Sequence, residues 1–194
     1  MIIKICGITN QEDATAAVEG GVTALGFNFY KGSPRYIAPE RAGEIATAAG
    51  VRRVGVFVDE SPAHVAELAL AARLDVVQLH GQETPADYPQ GIAVWKAARV
   101  GPGWNPASLL DCPAEAVLLD GPANGQTFDW EAARGLIQRI ILAGGLDASN
   151  VALAVSVMHP WGVDACSRIE STPGRKDHRK MTEFIKAARG ALGI

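Results

Sequence analysis

The chain has 194 residues, of which 48% are hydrophobic and 20% charged, and its net charge is −3. This length suffices for one well-buried core, so we predict a single domain over residues 1–194. A slightly acidic chain lacks the basic surface that binds nucleic acid or anionic membranes. We expect no signal peptide and no membrane span, since no run reaches the roughly 18 apolar residues that a span needs. Three cysteines do not make a disulfide framework, which favours the reducing cytoplasm.

Short β-branched runs alternate with Ala-rich stretches along the chain. We predict eight strands, at residues 2–5, 24–27, 53–58, 76–79, 94–98, 116–119, 139–143 and 162–165. Several are continuous apolar runs, which is typical of parallel strands covered by helices. Cap residues and helix stops predict helices between them, at residues 11–19, 39–49, 62–72, 105–110, 130–136, 150–158 and 178–189.

Two architectures fit eight alternating units, a closed barrel and an open doubly wound sheet. The units average about 24 residues, which is short for a barrel that typically takes about 250 residues. Closure is favoured because the units are even and because candidate reactive residues follow strands along the whole chain. A barrel brings all of those strand ends to one mouth. We therefore predict a compact α/β fold, the eight-stranded parallel (β/α)8 TIM barrel.

Two residues at strand ends are candidates for acid–base chemistry. Cys6 follows the first strand and precedes Gly7, where a thiolate would be accessible as a base. The alternative is a buried structural thiol. Asp120 closes the sixth strand, and burial would let its carboxyl keep a proton and act as a general acid. The alternative for Asp120 is a cap of the following loop.

Other strand ends carry candidate ligand-binding groups. Arg35 lies in the loop after the second strand and would clamp a carboxylate, unless it is simply solvated. His80 shares a face with Gln78 and reaches the mouth, or packs behind it, depending on which way that face points. Gly144 and Gly145 end the seventh strand, where barrels of this class commonly bind phosphate through backbone N–H groups.

Several classes of chemistry have no support in the sequence. The other histidines are scattered without metal-ligand spacing: His64, His159 and His178. Motifs of nucleotide-binding loops, zinc peptidases and serine hydrolases are missing. We therefore predict no metal site, and the sequence supports neither a nucleotide-binding protein nor a serine hydrolase. A basic cluster before and within the last helix is expected to face solvent, and it comprises Arg175, Lys176, Arg179 and Lys180.

Eight motifs in a fixed order connect the chain to a known family. They are KICGIT at residues 4–9, GFNFYKGSPRYI at 26–37, VGVFVD at 54–59, VQLHG at 77–81, LLDG at 118–121, GQTFDW at 125–130, LAGGLDASNV at 142–151 and IESTPGRKDH at 169–178. Together they resemble the phosphoribosylanthranilate isomerase family of tryptophan biosynthesis over essentially the whole length. The resemblance implies the eight-fold barrel and a cofactor-free isomerase that acts on a small phosphorylated aminosugar. A homodimer is compatible with it.

The resemblance also implies residue roles. The base falls on Cys6 and the acid on Asp120, while binding of the anthranilate carboxylate falls on Arg35. Phosphate binding falls on the loop of Gly144 and Gly145 and on the segment that runs from Asp164 to Ser167. His80 is expected among the substrate-binding residues.

One stretch departs from the family pattern, which usually reads close to VSSGVE where this chain has ACSRIE. Cys166 replaces a hydroxyl donor with a weaker thiol. Arg168 replaces a glycine, which costs strain if the backbone there needs a positive φ and otherwise adds a cation near the phosphate. Two alternatives stay open: a related isomerase of histidine biosynthesis, which would use two Asp residues and against which Cys6 argues, and a non-catalytic phosphosugar-binding barrel.

Overall fold

A closed parallel barrel forms the centre of the computed structural model, which describes residues 1–109, 111–133, 135–136 and 138–194. Its strands pair in sequential order, and β8 closes against β1. They are β1 Ile2–Ile5, β2 Ala24–Asn28, β3 Arg52–Phe57, β4 Val76–Leu79, β5 Ala93–Arg99, β6 Ala116–Asp120, β7 Ile140–Leu142 and β8 Gly162–Ala165. The predicted barrel is confirmed, and the open sheet is excluded.

Five α-helices lie in the described part of the chain. They are α1 Gln11–Gly20, α2 Pro39–Glu44, α3 Pro62–Ala71, α4 Val151–Met158 and α5 His178–Leu192. None of them is long and apolar enough to cross a membrane. Side-chain caps are present at the starts of α3 and α1, since the Ser61 hydroxyl accepts from the N–H of His64 and the Asn10 side chain accepts from that of Asp13.

The helices predicted after β5 and β6 are wrong as α-helices. The structure has single 3₁₀ turns there, at Pro106–Leu109 and Trp130–Ala133, and residues 110 and 134 of the predicted ranges lie outside the described residues. Two further 3₁₀ turns lie at Pro85–Asp87 and Ser167–Ile169. 3₁₀ turns are frequent connectors between regular elements.

Helix α2 is shorter than the predicted 39–49 because a buried cation terminates it. Arg53 donates from its guanidinium to the backbone carbonyls of Ala42 and Ile45, and also to that of Ala72 at the end of α3. The guanidinium carbon lies 4.9 Å from the centroid of the Phe27 ring. Arg53 thus satisfies the last carbonyls of two helices and stacks on the barrel wall, which stops α2 at Glu44.

Alternation along the strands separates two apolar layers. In β1, Ile3 and Ile5 belong to the layer between strands and helices, whereas Ile2 belongs to the barrel interior. The fully buried Trp95 fills that interior, and Trp161 packs edge-on against it with centroids 6.0 Å apart. The N-terminal end of the barrel is therefore packed with apolar side chains, which leaves the C-terminal mouth for the polar groups.

An antiparallel pair that the sequence did not predict connects the barrel to the last helix. Strands β9 Glu170–Thr172 and β10 Arg175–Lys176 turn at Gly174, which has a φ of +82°. In the register of this pair, Lys176 lies opposite Glu170. This hairpin places two charged residues behind the mouth of the barrel.

Candidate active site

One cavity at the C-terminal mouth brings together every site residue that the sequence predicted. Its volume is about 160 Å³, and its lining includes Cys6, Arg35, His80, Asp120, Gly144, Gly145, Asp164 and Ser167. A wider cavity of about 410 Å³ adjoins it and shares Arg35, His80 and Asp120. The eight residues come from six different strand ends or the loops that follow them, so closure of the barrel alone explains how they meet.

Cys6 lies above a buried ion pair. Lys4 and Asp164 face each other across β1 and β8, and Lys4 Nζ lies 3.0 Å from Asp164 Oδ1. The Lys4 side chain is fully buried. Because side chains two residues apart share a face of a strand, Lys4 and Cys6 both point into the barrel. Burial raises the pKa of Asp164 to about 7, although the charge of Lys4 opposes this rise.

The surroundings of Cys6 favour its thiolate. A hydrogen bond from the Cys166 thiol and the positive charge of Lys4 hold the pKa of Cys6 well below its ordinary value, although burial opposes them. The same hydrogen bond, together with burial, raises the pKa of Cys166 well above its ordinary value. The thiolate is thus favoured on Cys6 and the protonated thiol on Cys166, whose sulfur lies 3.9 Å from Glu170 Oε1. A low-pKa thiol on an accessible strand end is suited to accept a proton or to attack an electrophile.

Asp120 lies against a histidine at the same mouth. His80 Nε2 lies 3.4 Å from Asp120 Oδ2, and His80 Nδ1 lies 3.4 Å from Gln78 Nε2. The other carboxylate oxygen of Asp120 accepts from the N–H of Gly121 at 2.9 Å. The Asp120 side chain keeps 30% of its surface exposed, so the expected burial is only partial and the deeply buried carboxyl is that of Asp164. An imidazole next to a carboxyl forms a pair that can pass a proton.

Arg35 is held rigidly by a residue that sequence reasoning missed. Its Nε and Nη2 donate to the two carboxylate oxygens of Glu170 at 2.9 and 2.7 Å, in a bidentate arrangement. Glu170 also accepts from Lys176 Nζ at 2.9 Å. The hydrogen bonds of Arg35 and the charge of Lys176 lower the pKa of Glu170, outweighing its burial. The prediction that Lys176 faces solvent is wrong, because this ion pair draws its ammonium inward until none of it is exposed.

The loop after β7 requires its two glycines. Gly144 and Gly145 have φ of +78° and +61°, and a Cβ on Gly144 would lie 2.3 Å from the backbone nitrogen of Gly121. Within the described residues no acceptor is assigned to either backbone N–H group. Arg168 does not adopt a positive φ, so its replacement of a family glycine stores no such strain. Its Nη1 lies 3.5 Å from Asp147 Oδ2, and Arg168 lines the same cavity as the two glycines. It therefore adds a cation next to the diglycine loop.

A larger cavity of about 690 Å³ lies beside the site, between the loops after β4 and β5. It includes the ion pair of Lys96 and Glu83, with 2.8 Å between nitrogen and oxygen. Among the described residues it shares only His80 with the cavity of the eight residues. The Cys6 thiol, the Asp120 carboxyl and the diglycine loop all line the smaller cavity, which is therefore the candidate site.

Sequence reasoning missed three residues that shape the site, namely Lys4, Glu170 and Lys176. Lys4 carried a usable signal, because a lysine two residues before Cys6 within an apolar strand must point to the same side. Glu170 and Lys176 carried none, since their pairing depends on the hairpin that turns at Gly174.

The fold and the site define a class, that of (β/α)8-barrel enzymes with titratable side chains at the C-terminal mouth. The sequence profile of the N-(5'-phosphoribosyl)anthranilate isomerase family matches residues 3–187. The chain therefore belongs to that family of isomerases. An N-(5'-phosphoribosyl)anthranilate isomerase from Solibacter usitatus is 60% identical over 199 positions that cover all of both chains.

Solved structures agree with this membership. The crystal structure of a phosphoribosyl anthranilate isomerase from Thermus thermophilus superposes with a TM-score of 0.91 at 38% identity, over 98% of this chain and 99% of that one. A phosphoribosyl anthranilate isomerase in complex with reduced 1-(o-carboxyphenylamino)-1-deoxyribulose 5-phosphate superposes with a TM-score of 0.89 at 40% identity, over 98% of this chain and all of the other.

Proposed function

We propose that the chain catalyses the Amadori rearrangement of N-(5-phosphoribosyl)anthranilate to 1-(2-carboxyphenylamino)-1-deoxyribulose 5-phosphate, with Cys6 as general base and Asp120 as general acid. One observation carries the proposal: Cys6 and Asp120 line the same cavity as an arginine and a diglycine loop. That combination provides a base, an acid, a carboxylate ligand and a phosphate ligand at one mouth. The proposed substrate is the compound named in the description of the family to which the chain belongs.

Ring opening requires an acid. Asp120 donates a proton to the furanose oxygen, and the bond between that oxygen and C1′ breaks as the nitrogen lone pair of the anthranilate forms a C=N bond. The product is an open-chain iminium. His80, 3.4 Å from Asp120, can return a proton to the carboxylate for the next turnover.

The rearrangement then requires a base. The Cys6 thiolate removes the proton from C2′, the electron pair of that bond forms C1′=C2′, and the iminium electrons return to nitrogen. Protonation at C1′ and loss of the enol proton from the C2′ oxygen give the aminoketose without any change in composition. The iminium is the electron sink for this step, so the chemistry needs no external one. Lys4 keeps Cys6 ionised before each turnover.

Binding groups lie at opposite sides of this pair. Glu170 engages Nε and Nη2 of Arg35, which leaves the two N–H groups of Nη1 for the anthranilate carboxylate. The phosphate is bound on the other side, by the backbone N–H groups of Gly144 and Gly145. Ser167 and the charged guanidinium of Arg168 line the same part of the cavity. The carboxyl of Asp164 is engaged by Lys4, so in this proposal Asp164 maintains the cation under Cys6 and does not contact phosphate.

The test is conversion of N-(5-phosphoribosyl)anthranilate by the purified protein, followed through the fluorescence of its anthranilate group. We expect an enzyme-dependent decay and a product of unchanged mass with a ketone at C2′, identified by NMR. Absence of decay with folded protein would support the non-catalytic binder instead. Equal or faster turnover of the aminoaldose of histidine biosynthesis would support that related isomerase.

A further inference from the structure

Two cysteines face each other at the ends of adjacent strands. The register of β1 and β8 pairs Lys4 with Asp164 and Ile5 with Ala165, and the N–H of Cys6 donates to the carbonyl of Ala165 at 2.9 Å. The next position in this register therefore places Cys6 beside Cys166. Neighbouring strands lie about 4.8 Å apart, which falls within the roughly 4.4–6.8 Å that separates the Cα atoms of disulfide-bonded cysteines.

The two thiols also point in the same direction. The side chains of Lys4 and Asp164, two residues before the cysteines on the same strands, meet inside the barrel. Cys6 and Cys166 repeat that orientation one step nearer the mouth, where both line the cavity. Both are partly exposed. A small oxidant that enters the cavity therefore reaches the pair.

The third cysteine provides an internal comparison. Cys112 lies in the neighbouring cavity, where its sulfur is 3.5 Å from the hydroxyl of Tyr88. It shares no strand register with Cys6. Its replacement should leave the pair intact.

We propose that Cys6 and Cys166 form a reversible oxidation site, at which a peroxide converts the two thiols into an intramolecular disulfide. The Cys6 thiolate attacks the O–O bond of hydrogen peroxide, which gives a sulfenic acid on Cys6 and releases hydroxide. The Cys166 sulfur then attacks the sulfenic sulfur, the S–S bond forms and water leaves. Counted from two thiols, the pair loses two protons and two electrons, and the peroxide is reduced to two waters.

Cys166 is equipped for the second step. Lys176 Nζ lies 3.8 Å from Cys166 Sγ, so a cation stabilises the negative charge that develops on this sulfur as its proton leaves. The consequence for activity rests on the proposed function: if Cys6 is the base, the disulfide removes it and turnover stops until a dithiol reductant restores it.

The chemical test does not depend on activity. Purified protein is treated with hydrogen peroxide, alkylated, digested and mapped by mass spectrometry, alongside Cys112→Ser and Cys166→Ser. We expect a peptide linked through Cys6 and Cys166 in the wild type and in Cys112→Ser, and none in Cys166→Ser. Absence of that linked peptide in the wild type, or a link through Cys112 instead, would overturn the proposal.

The second arm measures reversibility as the ratio of activity after and before treatment. The wild type and Cys112→Ser should lose at least about tenfold in activity and regain it with dithiothreitol. Cys166→Ser should be inactivated without recovery, because a sulfenic acid that meets no second thiol oxidises further to the sulfinic acid. Full recovery of Cys166→Ser would overturn the assignment of Cys166. A linked peptide in a fully active protein would instead leave the oxidation site standing and contradict Cys6 as the base.

Discussion

Replacing Glu170 with glutamine should strongly destabilise the protein. Only 4% of the Glu170 side chain is exposed, and its carboxylate is the partner of both Arg35 at 2.7 Å and Lys176 at 2.9 Å. Glu170→Gln preserves the volume but leaves two cations, one of them fully buried, without the carboxylate that pairs with them. Removing one partner of a buried ion pair typically costs about 3–5 kcal/mol. We expect a loss of the free energy of unfolding in that range.

Urea denaturation, followed through tryptophan fluorescence, measures this loss. With a slope of about 1–3 kcal/mol per molar of urea, the midpoint should fall by at least about 1 M. Glu44→Gln is the matched control, because its ion pair with Arg41 is exposed on both sides and should contribute less than about 1 kcal/mol. Equal effects of the two substitutions would refute the argument that the cluster around Glu170 is a buried ion pair.

Three further predictions concern the charged groups in and around the site. The pKa values of Glu170 and Asp13 are lowered in the folded state, so the unfolded state binds more protons at low pH. Stability should therefore fall as the pH drops below about 4.5. A Tm that stays constant from pH 7 to pH 3 would contradict this. Lys4→Met should raise the pKa of Cys6, seen as a shift to higher pH in its alkylation by iodoacetamide, with circular dichroism to verify the fold; an unchanged pH profile would be inconsistent with the role of Lys4. Arg168→Ala should raise KM about 2- to 10-fold with little change in kcat, because it removes a half-exposed cation next to the proposed phosphate site. An unchanged KM would contradict a role of Arg168 in phosphate binding.

The barrel and the composition of its mouth were predictable from local signals. Continuous apolar runs identified the strands, and each candidate such as Cys6 or Asp120 stood where a run ended. The geometry of a parallel barrel then requires these ends to meet, whatever the details of the loops. All eight predicted site residues accordingly line one cavity.

What the sequence did not reveal depends on contacts between distant segments. The end of α2 is set by Arg53 from the following strand, which takes carbonyls that a longer helix would have used itself. The pairing of Glu170 with Lys176 depends on a hairpin whose strands are only three and two residues long, too short for any periodic pattern. The departure at Cys166 was visible in the sequence, but only the register of β1 and β8 places that thiol beside Cys6.

The most direct test of the account is the turnover of N-(5-phosphoribosyl)anthranilate by Cys6→Ser and Asp120→Asn, measured with folded protein at saturating substrate. Removal of a general acid or base typically lowers kcat by about 10²–10⁴-fold. We expect a loss of that size in each variant, with the thermal transition and circular dichroism close to those of the wild type. Turnover near that of the wild type in either variant would contradict the assignment of that residue.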